Sequence, residues 1–173
     1  MKRREARELL FALIYETGFE YPFTDATRTA EAIYDSAKEY RELEEDTYIR
    51  DVYFDIWDKI PELDAAIGEH TVGWKQERLS RVSLAIMRLS VYELLYREDI
   101  AYNISINEAI ELAKKYDHDK SPKFINGVLN AVADKCGKKV NAAKIDKTVD
   151  QAVEPEIEVE IIEESAADDG SEE

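Results

Sequence analysis

Apolar side chains recur at spacings of three and four residues along most of this chain, which places them on one face of an α-helix. The longest stripe of this kind lies in the segment 77–96, and its members are Leu79, Val82, Ile86, Leu89, Tyr92 and Leu95. Only 6 glycines and 4 prolines occur among the 173 residues, which is too few for a turn-rich β protein. We therefore expect an all-α fold of about seven helices, with the segment 77–96 as the central one.

Local signals mark where several of these helices begin and end. The first helix is expected from Arg3 to about Thr17, because Gly18 follows as a stop. In a later segment, Ser105 is followed three positions on by Glu108, a pair that predicts a reciprocal capping box at a helix start.

The last helix has signals at both ends. Ser121 is expected as its N-cap and Pro122 as its first helical residue. Gly137 is expected to end it, since glycine is the residue most common just beyond a helix.

The net charge of −16 is unevenly distributed along the chain. Residues 141–173 hold two lysines and twelve acidic residues, so they contribute −10 and leave −6 for residues 1–140. Such a charge density without any aromatic residue predicts a disordered acidic tail. We expect an N-terminal helical subdomain over 1–75, a C-terminal one over 76–138, and the tail over 139–173.

The sequence also argues against several classes of protein. Its longest apolar run, LLFALIY, is far shorter than the ~20 residues that span a bilayer, and no apolar signal segment follows the basic start. Cys136 is the only cysteine, and the two histidines, His70 and His118, fall in different predicted loops, so no zinc site is expected. The expectation is a cytoplasmic protein with no membrane contact, no cofactor or metal, and no enzymatic activity.

The first helix starts with basic residues, although a helix N-terminus favours acidic ones. The residues concerned are Lys2, Arg3, Arg4 and Arg7. Tyr15 lies eleven positions after Arg4 and therefore returns to nearly the same side of the helix. Guanidinium groups can pair with phosphates and an exposed ring can stack on a base, which is one interpretation. The other is a solvated terminus balanced by nearby glutamates, with Tyr15 in the core.

A second basic cluster lies in the segment KKYDHDKSPKF. Lys120 and Lys123 flank the start of the last helix, where the backbone N–H groups and the helix dipole also favour a phosphate. Phe124 follows directly and is expected either to cover a base or to enter the core.

Four sequence elements together resemble the NusB (N-utilization substance B) family of bacterial transcription antitermination factors. They are RREAR near the start, MRLSVYELLY in the central helix, INEAIELAK in the next helix and KFINGVL in the last one. They occur in the family's order and at the family's spacing.

The resemblance implies an all-α fold of two three-helix subdomains and no catalysis. It implies single-stranded boxA RNA of nascent ribosomal transcripts as the ligand, a ribosomal small-subunit protein, NusE, as the partner, and an indirect link to the RNA polymerase elongation complex. The expected RNA contacts are Lys2, Arg3, Arg4, Arg7, Tyr15, Lys120, Lys123 and Phe124. Gly127 is expected to allow close helix packing.

The partner surface is expected on the outward side of the central helix, at Ser80, Ser83 and Leu84. Here the chain departs from the family, which usually has an acidic residue at the position of Ser83 and a basic one at Leu84. The alternative function is a helical interaction scaffold, or a homodimer, in which RNA contact is incidental.

Overall fold

The structure is a computed structural model that describes residues 2–19, 26–41, 47–71, 73 and 79–139. Within these ranges it contains seven α-helices and no strand, which confirms the all-α prediction. The helices are α1 (Arg3–Thr17), α2 (Ala26–Arg41), α3 (Thr47–Asp58), α4 (Ile60–Glu69), α5 (Arg81–Tyr96), α6 (Tyr102–Tyr116) and α7 (Ser121–Lys135). The predicted acidic tail lies outside the described residues beyond Lys139.

Helix α5 is the centre of the fold, as its continuous apolar pattern predicts. Ala85 to Leu94 is an unbroken run of buried residues, and α5 packs against α1, α4, α6 and α7. Fully burying a side chain such as Ile86 or Leu89 stabilises the fold by roughly 1.5–3 kcal/mol. The remaining helices are therefore arranged around α5.

Helix α1 runs antiparallel to α5. At one end, Arg81 Nη1 donates to the carbonyl oxygen of Gly18 over 2.6 Å, and at the other Arg7 pairs with Glu93. Helices α1, α2 and α3 pack together around the buried Tyr53, while α6 and α7 pack against each other and α5. The fold thus has two groups of three helices, α1 with α2 and α3, and α5 with α6 and α7. In the sequence α4 lies between the two groups, and in the structure it packs against α5.

Two helix starts differ from the sequence prediction. Helix α5 begins at Arg81 rather than Glu77, because the Ser80 side chain caps it by accepting a hydrogen bond of 2.8 Å from the Ser83 N–H. The capping box at Ser105 is wrong: Ser105 lies inside α6, is buried, and donates its hydroxyl to the carbonyl oxygen of Ser90.

At α7 the predicted boundaries are nearly right. Ser121 is the first helical residue rather than the cap, with Pro122 second, and Gly137 has the positive φ of +74° expected beyond a helix end. The packing role predicted for Gly127 is wrong, since Gly127 is exposed and a Cβ added there would meet no atom within 4 Å.

Among the helices described, none is both long and apolar enough to cross a membrane.

Candidate functional site

The basic residues that open α1 are exposed to solvent. Lys2, Arg3 and Arg4 all lie on the surface at the first turn. Hydrogen bonds from Arg97 hold the pKa of the Asp99 carboxyl at about 2, and the positive charge of Arg3 contributes to that lowering. We call these three exposed cations the N-terminal basic turn; the exposed Glu5 lies beside them and accepts a hydrogen bond of 3.0 Å from the Lys2 backbone N–H.

Arg7 does not belong to this surface, contrary to the prediction. Its Nε donates to Glu93 Oε1 over 2.7 Å, and the two side chains are 8% and 3% exposed. Both charges are thus compensated inside the protein, where an unpaired charge would be costly. Arg7 fastens α1 to α5 and is not available for a phosphate.

Four aromatic rings follow one another along α1, from Tyr116 of α6 through the buried Phe11 and the half-buried Tyr15 to Phe19. Tyr116 lies 5.2 Å from Phe11, Phe11 lies 6.2 Å from Tyr15, and Tyr15 lies 5.0 Å from Phe19, measured between ring centroids. Phe19 and Tyr116, at the two ends, are 46% and 42% exposed. We call these residues the aromatic row. Val82 of α5 joins three of the rings, Phe11, Tyr15 and Tyr116, in lining an open groove of about 740 Å³.

The groove along the aromatic row is rimmed by carboxylates. Glu5, Glu8 and Glu16 all line it, and no basic side chain is among its described lining residues. Glu8 accepts hydrogen bonds from Lys115 and from the Tyr116 hydroxyl, and these two bonds lower the pKa of its carboxyl. Tyr15 therefore lies half-buried in an apolar groove with an acidic rim, which is a poor place for a phosphate.

The second predicted cluster lies at the start of α7. Lys120 and Lys123 are exposed, and Phe124 is half-buried. Phe124 and Lys120 line a second groove of about 720 Å³, and Ser80 and Ser83 of the α5 start line the same groove. The structure thus brings predicted RNA residues and predicted partner residues together at one place, which we call the Phe124 groove.

A buried carboxylate joins the lining residues of the Phe124 groove that come from α5 to those that come from the segment before α7. Asp117, whose side chain is 2% exposed, accepts hydrogen bonds from the hydroxyls of Ser80 and Ser83 and from the N–H of His118. Burial acts to raise the pKa of Asp117, but these bonds and one with Ser121 outweigh it and lower the pKa below its ordinary value. Asp117 is therefore a charged acceptor at the junction of α5, α6 and α7.

The residues predicted for the partner surface are less exposed than expected. Ser83 is 4% exposed and bonded to Asp117, and Leu84 is half-buried against the core, so the outward position predicted for Ser83 is wrong. The outward side of this turn is formed by Arg81, which lies over the Phe19 ring at 4.6 Å, and by Val82.

The second basic cluster is joined to α1 through two sets of contacts. The start of α7 is linked through Asp117 to the first turn of α5, where Arg81 donates to the carbonyl oxygen of Gly18 beyond the end of α1. Tyr116, directly before Asp117, donates to Glu8 in the first half of α1. The aromatic row therefore runs along α1 beside the segment that leads to the second cluster.

The sequence did not indicate that Asp117 joins α5 to the start of α7, or that Phe19 and Tyr116 belong to an aromatic row. The four-residue spacing of Phe11, Tyr15 and Phe19 was a usable signal for the row, whereas Tyr116 comes from a helix far away in sequence. Within the part of the chain that the structure describes, no group of three His, Cys, Asp or Glu side chains could hold a metal ion.

Comparisons of the sequence with known proteins all match the same family. A family model described as the NusB family matches residues 4–134. Transcription antitermination protein NusB of Bacillus pumilus is 40% identical over 132 residues, which cover 76% of this chain and 95% of that protein. Its counterpart from Ruminiclostridium cellulolyticum is 37% identical over 134 residues, covering 77% and 89% respectively.

Solved structures show the same relationship. A structure of NusB from T. maritima matches with a TM-score of 0.63 and 29% identity, over 78% of this chain and 92% of that one. A structure of antitermination factors NusB and NusE in complex with double-stranded RNA matches with a TM-score of 0.61 and covers 78% of this chain and 99% of that one. At 22% identity this second match supports the fold alone.

Proposed function

The chain belongs to the NusB family, and from that premise we propose that it is a transcription antitermination factor that binds boxA RNA of nascent ribosomal transcripts together with NusE. The observation that carries the RNA part is the presence of two exposed basic clusters, at the start of α1 and at the start of α7, on a protein that is acidic overall. The RNA polymerase elongation complex is contacted indirectly, through this assembly.

The RNA is proposed to contact the protein at both basic clusters, at the start of α1 and at the start of α7. Arg3 and Arg4 supply guanidinium groups that pair with phosphate oxygens, with Lys2 beside them. Lys120 and Lys123 supply the second phosphate contact, and Phe124, which is half-buried and lines the Phe124 groove, stacks on an unpaired base. Neutralising phosphates in this way makes the affinity fall as salt rises.

NusE is proposed to bind along the aromatic row. A protein of the ribosome binds RNA and is for that reason rich in Lys and Arg. The carboxylates that rim the groove complement such a partner, and the exposed rings of Phe19 and Tyr116 supply apolar contact area at its two ends. Under this proposal Tyr15 contacts protein rather than RNA.

The proposal includes no catalytic step, and it places the protein in the cytoplasm, where bacterial transcription takes place. The second candidate, a helical scaffold or homodimer, rests on the same exposed aromatic residues. Partner binding that persists without any RNA affinity would favour it.

The test is a fluorescence anisotropy titration of labelled boxA RNA and of a scrambled RNA of equal length, with and without NusE, at two salt concentrations. We expect tighter binding to boxA, strengthened by NusE and weakened by salt. The double variant Arg3→Ala/Arg4→Ala should reduce the slope of log affinity against log salt by about 1.4, because each phosphate of a single strand that is no longer neutralised lowers the slope by about 0.7. Equal weak binding to both RNAs in the presence of NusE would overturn the proposal.

A matched control is offered by Lys38→Ala, which removes an exposed cation from α2 outside both basic clusters. It should leave the salt slope unchanged. The partner surface is tested separately by Phe19→Ala, which should weaken NusE binding without changing the affinity for RNA alone. Loss of RNA affinity in Phe19→Ala without NusE would show that the aromatic row binds RNA.

A further inference from the structure

The first turn of α5 belongs to both proposed surfaces at once. Ser80 and Ser83 line the Phe124 groove, while Val82 lines the groove of the aromatic row and Arg81 covers the ring of Phe19. A displacement of this single turn would therefore be felt on both surfaces.

Asp117 is the side chain that joins this turn to the RNA side. Its Oδ2 accepts from the Ser80 hydroxyl at 3.0 Å and from the Ser83 hydroxyl, and its Oδ1 accepts from the His118 N–H at 2.9 Å. A further hydrogen bond joins it to Ser121, the first residue of α7. Three residues after Asp117 comes Lys120, and Phe124 lies one turn into α7.

Asp117 itself touches neither surface. Its side chain is 2% exposed, so an RNA or a protein partner on either surface would meet its neighbours instead. It can act only by fixing where the first turn of α5 lies relative to the loop that carries Lys120. A carboxylate suits this place because it offers acceptor sites only, and its neighbours here are all donors.

We propose that Asp117 is a positioning residue that couples the two binding surfaces, so that NusE on the aromatic row places Lys120 and Phe124 for RNA through the first turn of α5. This inference rests on the proposed function. Coupling of this kind is a property of the pair of ligands, and its usual size is about 5- to 150-fold in affinity. By linkage, RNA must strengthen the binding of NusE by the same factor.

The experiment measures the factor by which NusE increases the affinity for boxA RNA, in the wild-type protein and in Asp117→Asn. Asparagine keeps the shape of the side chain but replaces one acceptor oxygen with a donor group, which cannot receive the serine hydroxyls. The matched control is Asp35→Asn, which removes the same charge from an exposed residue of α2 that lines neither groove. We expect the factor to fall at least fivefold in Asp117→Asn and to keep its wild-type value in Asp35→Asn.

A purely structural role would lower stability without changing this factor, so the factor is the deciding readout. Ser83→Ala removes one donor from α5 and leaves Asp117 and the loop in place, and it should lower the factor even if Asp117→Asn does not fold. An unchanged factor in Ser83→Ala and in folded Asp117→Asn would overturn the inference, as would a wild-type factor of one. Specific boxA binding without NusE would then still support the proposed function.

Discussion

Arg4 and Arg7 lie within one helical turn of each other on α1, but they differ in burial and in the groups they contact. Arg7 is paired with Glu93 in the interior, whereas Arg4 is exposed. Replacing Arg7 with Met leaves the carboxylate of Glu93 buried without its partner, so we expect the free energy of unfolding to fall by about 3–5 kcal/mol. Arg4→Met should change it by less than about 0.5 kcal/mol and should weaken RNA binding instead. Urea unfolding and RNA anisotropy of the two variants check both expectations.

The double variant Arg7→Met/Glu93→Leu serves as the control for this prediction. It removes both charges and keeps comparable volume, so it should regain much of the stability that Arg7→Met loses. If Arg7→Met is as stable as the wild-type protein, the ion pair is not what fastens α1 to α5.

Asp117 should make the stability of the protein depend on pH. Burial acts to raise its pKa, but the hydrogen bonds it accepts outweigh burial and bring the pKa below the ordinary value of 3.8. A carboxyl whose pKa is lowered in the folded state contributes stability above its unfolded pKa and loses it as pH falls through the folded one. The difference in melting temperature between wild-type protein and Asp117→Asn should therefore be constant above about pH 5 and shrink below about pH 4. A difference that stays constant down to about pH 3 would contradict this account.

At the scale of one helix, replacing a glycine with alanine should change the stability in opposite directions at Gly127, inside α7, and at Gly137, just beyond its end. Gly127 lies inside α7, is exposed, and has open space where a Cβ would go, so Gly127→Ala should stabilise the protein by roughly 0.5–1 kcal/mol. Gly137 has a φ of +74°, which a side chain disfavours, so Gly137→Ala should destabilise it by about 1 kcal/mol. Thermal unfolding of both variants measures the direction of each change in stability. A gain in stability from Gly137→Ala would show that the positive φ at this position does not require glycine.

The helices themselves were predictable from the sequence, because their apolar spacing is local information. The residues at which the helices start were harder to predict. Ser105 and Ser80 both lie near a helix start. Ser105 lies inside α6, where its hydroxyl donates to the carbonyl oxygen of Ser90 in α5, whereas the Ser80 hydroxyl accepts from the Ser83 N–H and caps α5. A tertiary contact decides between two similar local signals, and the sequence does not reveal that contact.

At the scale of the whole molecule, the exposed basic residues were the predictable part of the site. Arg7 was misplaced because its partner, Glu93, lies 86 positions away in the sequence, and nothing near Arg7 indicates that it is buried. Only part of the aromatic row was predictable from the sequence: Phe11, Tyr15 and Phe19 are spaced four residues apart, but Tyr116 contacts Phe11 from α6. Surfaces formed by several helices depend on packing, and periodicity along one helix does not determine it.

The distribution of charge over the whole chain leads to the last prediction. Residues 140–173 carry −10, and Lys138, just before them, donates to the carbonyl oxygen of Glu93, the residue whose carboxylate pairs with Arg7 of α1. The acidic segment is therefore attached at the end of the molecule that holds the N-terminal basic turn. Its charge should lower the local potential that attracts RNA.

Removing residues 140–173 should accordingly tighten RNA binding, by about tenfold at low salt, and the gain should shrink as salt rises because the Debye length falls to ≈ 8 Å at 0.15 M. A variant of full length with the acidic residues of this segment replaced by Asn and Gln separates charge from length and should bind like the truncated protein. If the truncated and full-length proteins bind RNA equally at every salt concentration, the segment does not act on RNA binding, and its charge serves only to keep the protein in solution.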